Sequence, residues 1–181
     1  MSIVKMTKDH GYGQLELNNC AFRRDGRIEA QCKIGDGISY LENGMLLAVD
    51  AAKRTVGFAT ENTGLIAINY TSEHMYSERE NALKNFKLEP GTFLPRLGYL
   101  AKGDKYTTNT VEYDTTDYAN AGAIKEGISA GTVYAVPATD GYHKLVNGSS
   151  SVPTGAVVAK AVAYTTMPDG SDAIKFIVVN A

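Results

Sequence analysis

Tryptophan is absent from this chain, and cysteine, histidine and proline are scarce. Its 181 residues include no Trp, two Cys, three His and five Pro. Two cysteines are too few for a disulfide framework, and without matching histidines they do not make a zinc site. Cys20 and Cys32 flank a hairpin signal at Asp25-Gly26. They read either as two small buried hydrophobes, as a reducing compartment favours, or as a disulfide pair. Charge of one sign is lacking too: 18 Lys and Arg stand against 20 Asp and Glu, for a net charge of −2 and a pI near 5.9. That balance excludes a broad nucleic-acid-binding surface, which needs clustered Lys and Arg. The one basic cluster, Arg23-Arg24 with Arg27, is broken by Asp25 and reads as a solvated hairpin turn. No apolar run approaches the roughly 20 residues of a membrane span. Met1 to Thr7 has no signal-peptide core, so the expected place of synthesis is a cytoplasm.

What is present favours sheet. Tyr is frequent at 11 residues, and Thr, Val and Ala are common. One passage occurs twice. Gly44-Met45-Leu46-Leu47-Ala48-Val49-Asp50-Ala51 returns as Gly131-Thr132-Val133-Tyr134-Ala135-Val136-Pro137-Ala138. A polar turn follows each copy, then a Thr-Gly-led apolar run at Thr63-Gly64 and Thr154-Gly155, then Tyr70-Thr71-Ser72 and Tyr164-Thr165-Thr166. Four features in the same order indicate two related β modules. Val49 and Val136 are then expected at equivalent buried strand positions.

Along the chain, residues 1–13 read as a flexible N-terminal arm. Residues 14–113 form the first β module, with strands over 14–22, 27–32, 41–49, 55–60, 64–70, 93–100 and 106–113. A helix is expected near 73–87 as an insertion, because Met75, Arg79, Ala82, Leu83 and Phe86 fall at helical spacing and Pro90-Gly91 stops it. Residues 114–130, polar and rich in Gly and Ala, read as a linker. Residues 131–181 form the second module, with strands over 131–137, 142–146, 156–166 and 173–179. Pro168-Asp169-Gly170 is a hairpin turn. The expected fold is mainly β: two related sandwich- or barrel-like modules with one inserted helix.

Chemistry is sparse. His10, His74 and His143 lie far apart, and no nucleophile elbow is present. The glycine pairs Gly11-Tyr12-Gly13 and Gly35-Asp36-Gly37 open no helix, so neither makes a nucleotide loop. No Asp-rich calcium loop occurs. Glu78 and Glu80, two apart on the expected helix, face different ways. The expectation is a protein with no catalytic, metal or cofactor residues. Tyr12, Tyr99, Tyr106, Tyr113 and Tyr118 stand as candidate interface residues, since Tyr offers large contact area with a polar tip; strand core is the competing reading for them.

Three segments carry a resemblance: Ala130-Gly131-Thr132-Val133-Tyr134-Ala135-Val136, Pro153-Thr154-Gly155-Ala156-Val157-Val158-Ala159, and Asp172-Ala173-Ile174-Lys175-Phe176-Ile177-Val178-Val179. Their order resembles the strand order of lambda-type head-decoration proteins and related auxiliary structural proteins of tailed bacteriophages, over about residues 130–181. The helix at 73–87 departs from that compact fold. The resemblance implies a non-enzymatic virion protein, made in the host cytoplasm, that binds and stabilises the capsid shell. Its partners would be the major capsid protein or other virion subunits, with homo-oligomers or lattice-bound copies and neither nucleic acid nor membrane. The alternative is a carbohydrate- or receptor-binding β module of a phage head fibre or tail.

Overall fold

The computed structural model describes residues 2–7, 11–60, 63, 65–71, 83–90, 95–149, 151 and 153–181. The fold is mainly β. Fourteen strands are described: β1 Ile3–Lys5, β2 Leu15–Asn19, β3 Ile28–Glu29, β4 Lys33–Ile34, β5 Leu46–Asp50, β6 Thr55–Phe58, β7 Ile66–Asn69, β8 Leu97–Tyr99, β9 Lys105–Thr108, β10 Val111–Asp114, β11 Val133–Pro137, β12 His143–Asn147, β13 Val158–Thr166 and β14 Asp172–Asn180. Among the described residues the α-helices are α1, Ala21–Asp25, and α2, Ala121–Ala130.

The strands form two sheets, and the sheets repeat each other. The first has the order β4-β6-β5-β7-β8-β3. The second contains β10-β12-β11-β13-β14-β9, flanked by β1 beyond β10 and β2 beyond β9. Strand for strand, β3 to β8 correspond to β9 to β14. The directions agree as well. β4 with β6 and β10 with β12 are parallel, and every other pair within the two sets is antiparallel. The repeated passage therefore marks a duplicated six-stranded unit. β5 and β11 align without a gap, each preceded two residues earlier by a left-handed glycine, Gly44 at φ 87° and Gly131 at φ 73°. That conformation favours glycine, so its retention in both copies has a backbone cause. The later apolar runs align two residues off the sequence reading: Ala48 faces Ile66 while Ala135 faces Ala159. A shift of two preserves which face each side chain occupies.

Several expectations change. The duplicated unit starts at β3, so Tyr106–Tyr113 belongs to the second sheet. It contains two strands, β9 and β10, joined by Asn109-Thr110 and lying on opposite flanks of their six-stranded set. Such a short link requires the second sheet to curl. Tyr106 on β9 accordingly touches His143 on β12 and Phe176 on β14, with ring centroids 5.5 and 5.8 Å apart. The sheet does not close into a barrel. The segment 114–130, expected as a linker, holds α2, whose Asn120 side chain accepts from the Ala123 N–H and whose Gly131 ends it in the left-handed conformation. Polar, Ala- and Gly-rich composition concealed a capped helix with Ile124 buried beneath it.

Arg23-Arg24-Asp25-Gly26 is not a hairpin turn but the end of α1, with Gly26 as its left-handed cap. Phe22 on α1 is fully buried, and Gly98 on β8 makes room for it: a Cβ there would lie 2.4 Å from the Phe22 ring. The alternation at Ile28, Ala30 and Cys32 does not bury Ile28, which is 42% exposed on the bare edge strand β3. The helix expected near 73–87 lies mostly outside the described residues, of which Leu83–Asn85 form a 3-10 turn.

The N-terminus is not a free arm among its described residues. β1 pairs antiparallel with β10, the Met6 N–H donates to the Val111 carbonyl at 2.9 Å, and Met6 and Thr7 are buried. The Thr7 hydroxyl meets the Tyr142 hydroxyl at 3.0 Å. A period-two signal cannot show in three residues, which is why composition suggested mobility. Deleting residues 2–7 should lower the thermal midpoint by roughly 5–10 °C, through lost strand pairing and the buried Met6. Calorimetry of the truncated chain checks this, and an unchanged midpoint would return the segment to the status of a loose arm.

Candidate docking surface

The main core is shared by both sheets and by both helices. Leu46, Ile66 and Ile68 of the first sheet join Val133, Ala135, Ala159, Phe176 and Val178 of the second, together with Phe22 and Ile124. These are equivalent inner faces of the duplicated unit. The opposite, outer faces differ. On the first sheet the outer face is apolar and covered: Leu47, Val56, Ala67 and Leu97 pack with Ile38, Leu41, Leu88, Ala138 and Tyr142. On the second sheet the outer cluster is Tyr134, Val136 and Val158 with Val146 and Val179, every one a residue of that same sheet.

Cross-strand register gives the matching positions. Val49 faces Val56 where Val136 faces Lys144. Leu47 faces Ala67 where Tyr134 faces Lys160, and Ala67 faces Tyr99 where Lys160 faces Ile177. Two residues back along β8 and β14, Leu97 corresponds to Lys175. Val56, Ala67 and Leu97 on the first sheet thus become Lys144, Lys160 and Lys175 on the outer face of the second. Ile177 also faces Lys105 on β9. The result is three adjacent strands, β13, β14 and β9, presenting Lys160, Ile177 and Lys105 in one row with Lys175 beside it. None of these lysines makes an ion pair with a described residue, whereas Lys5 and Lys53 pair with Asp140 and Asp50. Lys160 lies over the Tyr134 ring at 5.7 Å.

The five candidate tyrosines do not form one surface. Tyr106 is fully buried, and its hydroxyl donates to His143 Nε2 at 2.9 Å. Tyr118 is buried beside α2, its hydroxyl without a hydrogen-bond partner among the described residues. Tyr99 and Tyr113 are half-buried against different clusters. Tyr12 is half-buried, edge-on to Tyr40 at 5.6 Å, with Lys87 5.3 Å from its ring. The outer lysines were missed because isolated lysines in alternating strands read as ordinary solvated positions. The repeat was the available signal: laying the two copies over each other exposes apolar-to-Lys replacements on one face.

The titratable groups inside are structural. His143 is 1% exposed. The Thr110 carbonyl, 3.0 Å from Nδ1, can only accept, so Nδ1 carries the proton and Nε2 accepts from Tyr106. Burial pushes the imidazole down to about 4. His10 and His74 lie outside the described residues. Glu42 is buried and accepts from the Tyr142 hydroxyl at 2.9 Å and the Gly13 N–H at 2.7 Å; burial raises its carboxyl above the usual range, against those two bonds. The Asn109-Thr110 link crosses the interior with its polar groups satisfied: Asn109 accepts from the Gln14 N–H, and the Thr110 hydroxyl donates to the Asn43 carbonyl.

Cys20 and Cys32 are free and sit in different clusters, so the disulfide reading is set aside. Burial pushes the Cys20 thiol up to about 12. Among the described residues, no group of three or more His, Cys, Asp or Glu could hold a metal ion. No helix of the described residues is long and apolar enough to cross a membrane. No protein-family model, curated protein or solved structure matches this chain.

Proposed function

We propose that this chain is a bacteriophage virion protein that binds and stabilises the capsid shell as a head-decoration or auxiliary protein, without catalysis. The observation that carries the reading is the outer face of β13, β14 and β9, where Lys160, Ile177 and Lys105 stand in one row on a duplicated scaffold. Such a body is suited to presenting surface. Modest contacts repeated by lattice symmetry suffice for firm attachment, so no deep cleft is required. The segments that resemble decoration proteins lie together: they hold most of β11, the start of β13 and most of β14, adjacent in one sheet.

The test is co-sedimentation with empty shells assembled from a tailed-bacteriophage major capsid protein. Saturable binding, together with a higher thermal midpoint of the shell, is the expected result. Absence of binding at micromolar concentration, combined with saturable binding on a glycan array, would replace this reading with the carbohydrate-binding one.

A further inference from the structure

We infer that the patch formed by Lys105, Lys160 and Lys175 around Ile177 docks an acidic protein surface that carries an apolar side chain at its centre. The inference deepens the proposed function, on which it rests for the partner's identity as a shell protein.

The duplication supplies the first argument. The same face of the same six-stranded unit exists twice in this chain. In the first copy other parts of the chain cover it, and its residues are Val56, Ala67 and Leu97. In the second copy Tyr134, Val136 and Val158 are buried, Gly148 lies against the Tyr134 ring, and the matching residues are Lys144, Lys160 and Lys175, with Lys105 exposed at the far strand. A face that simply turned to solvent would lose its apolar residues. This one keeps Ile177 half-buried between Lys160 and Lys105.

Charge supplies the second argument. The chain carries −2, and the four outer lysines carry +4, so the remainder of the molecule carries −6. The outward positions of β11, β12, β13, β14 and β9 include Lys144, Lys160, Lys175 and Lys105 but no Asp or Glu. Acidic outward residues begin only on the flanking strands, at Glu112 on β10 and Glu16 on β2. Lys144 faces Glu112 across the strand pair, but Lys105, Lys160 and Lys175 make no ion pair with a described residue; set around Ile177, they complement carboxylates set around an apolar residue. A nucleic acid fits less well. The patch has no arginine, and its nearest aromatic ring, Tyr134, is 8% exposed and offers no stacking platform.

Two arms test the inference. The first titrates poly-L-glutamate into the protein at low salt and then at 0.3 M salt. The second pellets the protein with the empty shells. Both use the native chain, the double variant Lys160→Glu with Lys175→Glu, and a charge-matched control, Lys33→Glu with Lys125→Glu, at exposed lysines elsewhere. The patch variant should bind poly-L-glutamate and shells at least tenfold more weakly, and the control should stay within about twofold of native. Ile177→Ser should weaken shell binding while leaving poly-L-glutamate nearly unaffected. Circular dichroism confirms that each variant folds. If native protein and patch variant pellet equally with shells, the patch inference is overturned and the capsid reading stands. If native protein does not pellet at all, the capsid reading falls and the poly-L-glutamate arm alone decides the patch. An oligonucleotide that displaces poly-L-glutamate at equal charge concentration would overturn the assignment to a protein partner.

Discussion

Leu46→Asp and Val133→Asp are each expected to remove about 5 kcal/mol, enough to unfold a domain of ordinary stability. The two residues hold the same place in the two copies of the duplicated unit, at 1% and 0% exposure, and both face the core that the sheets share. A carboxylate at either position would be buried with no partner. Similar losses at both sites are the outcome expected of two positions buried in one shared core. Val49→Asp and Val136→Asp should cost far less, about 1–2 kcal/mol. Val49 is only half-buried, and an aspartate at 136 faces Lys144 across the strand pair. Val136 itself is 4% exposed, so equivalent position and equal burial have to be kept apart. Urea unfolding followed by circular dichroism checks all four variants. If Val133→Asp unfolds cooperatively with a loss below about 2 kcal/mol, the shared-core account fails.

Acidification from pH 7 to pH 4 is expected to cost about 3 kcal/mol through His143 alone. The folded imidazole is held neutral by burial at about 4, against an ordinary value of 6.5. A lowered histidine pKa means that the unfolded chain binds the proton first. The stability contributed is complete above pH 6.5 and is lost progressively as the pH falls toward 4. Glu42 works in the opposite direction, since its raised carboxyl takes up a proton more readily in the folded state. The histidine contribution should therefore be read directly. The His143 ring resonance should hold its neutral position down to about pH 4.5 and then move together with, or after, the onset of unfolding. A midpoint near 6.5 in the folded protein would refute the buried tautomer, as would rapid solvent exchange of the Nδ1 proton.

Much of the second module was legible locally. β11, β12, β13 and β14 fall within two residues of the runs expected at 131–137, 142–146, 156–166 and 173–179, and Gly170 turns the last hairpin at φ 87°. Alternation, turn residues and a left-handed glycine act between neighbours in sequence, so they can be read from the chain. α2 escaped because a short, weakly apolar helix with one fully buried residue leaves little periodic trace. The lysine patch escaped for a related reason: each lysine is unremarkable until the strands on either side of it are known.

By itself the sequence determined that the chain would be mainly β and that its two halves would share a module, because strand propensity and the repeated Gly-led apolar passage are both written in contiguous residues. Only the tertiary structure decided that β9 and β10 join the second sheet at opposite flanks and that β1 and β2 extend it. The tertiary structure also packed one outer face with apolar residues and gathered lysines on the other. Those outcomes depend on pairings between residues far apart in the chain. A parallel pair such as β10 with β12 has no connecting turn to announce it, and burial on a curled sheet is set by what packs against each face. His143 shows the same division, being a lone histidine in the sequence but a neutral, doubly hydrogen-bonded core residue once Thr110, Tyr106 and Phe176 surround it.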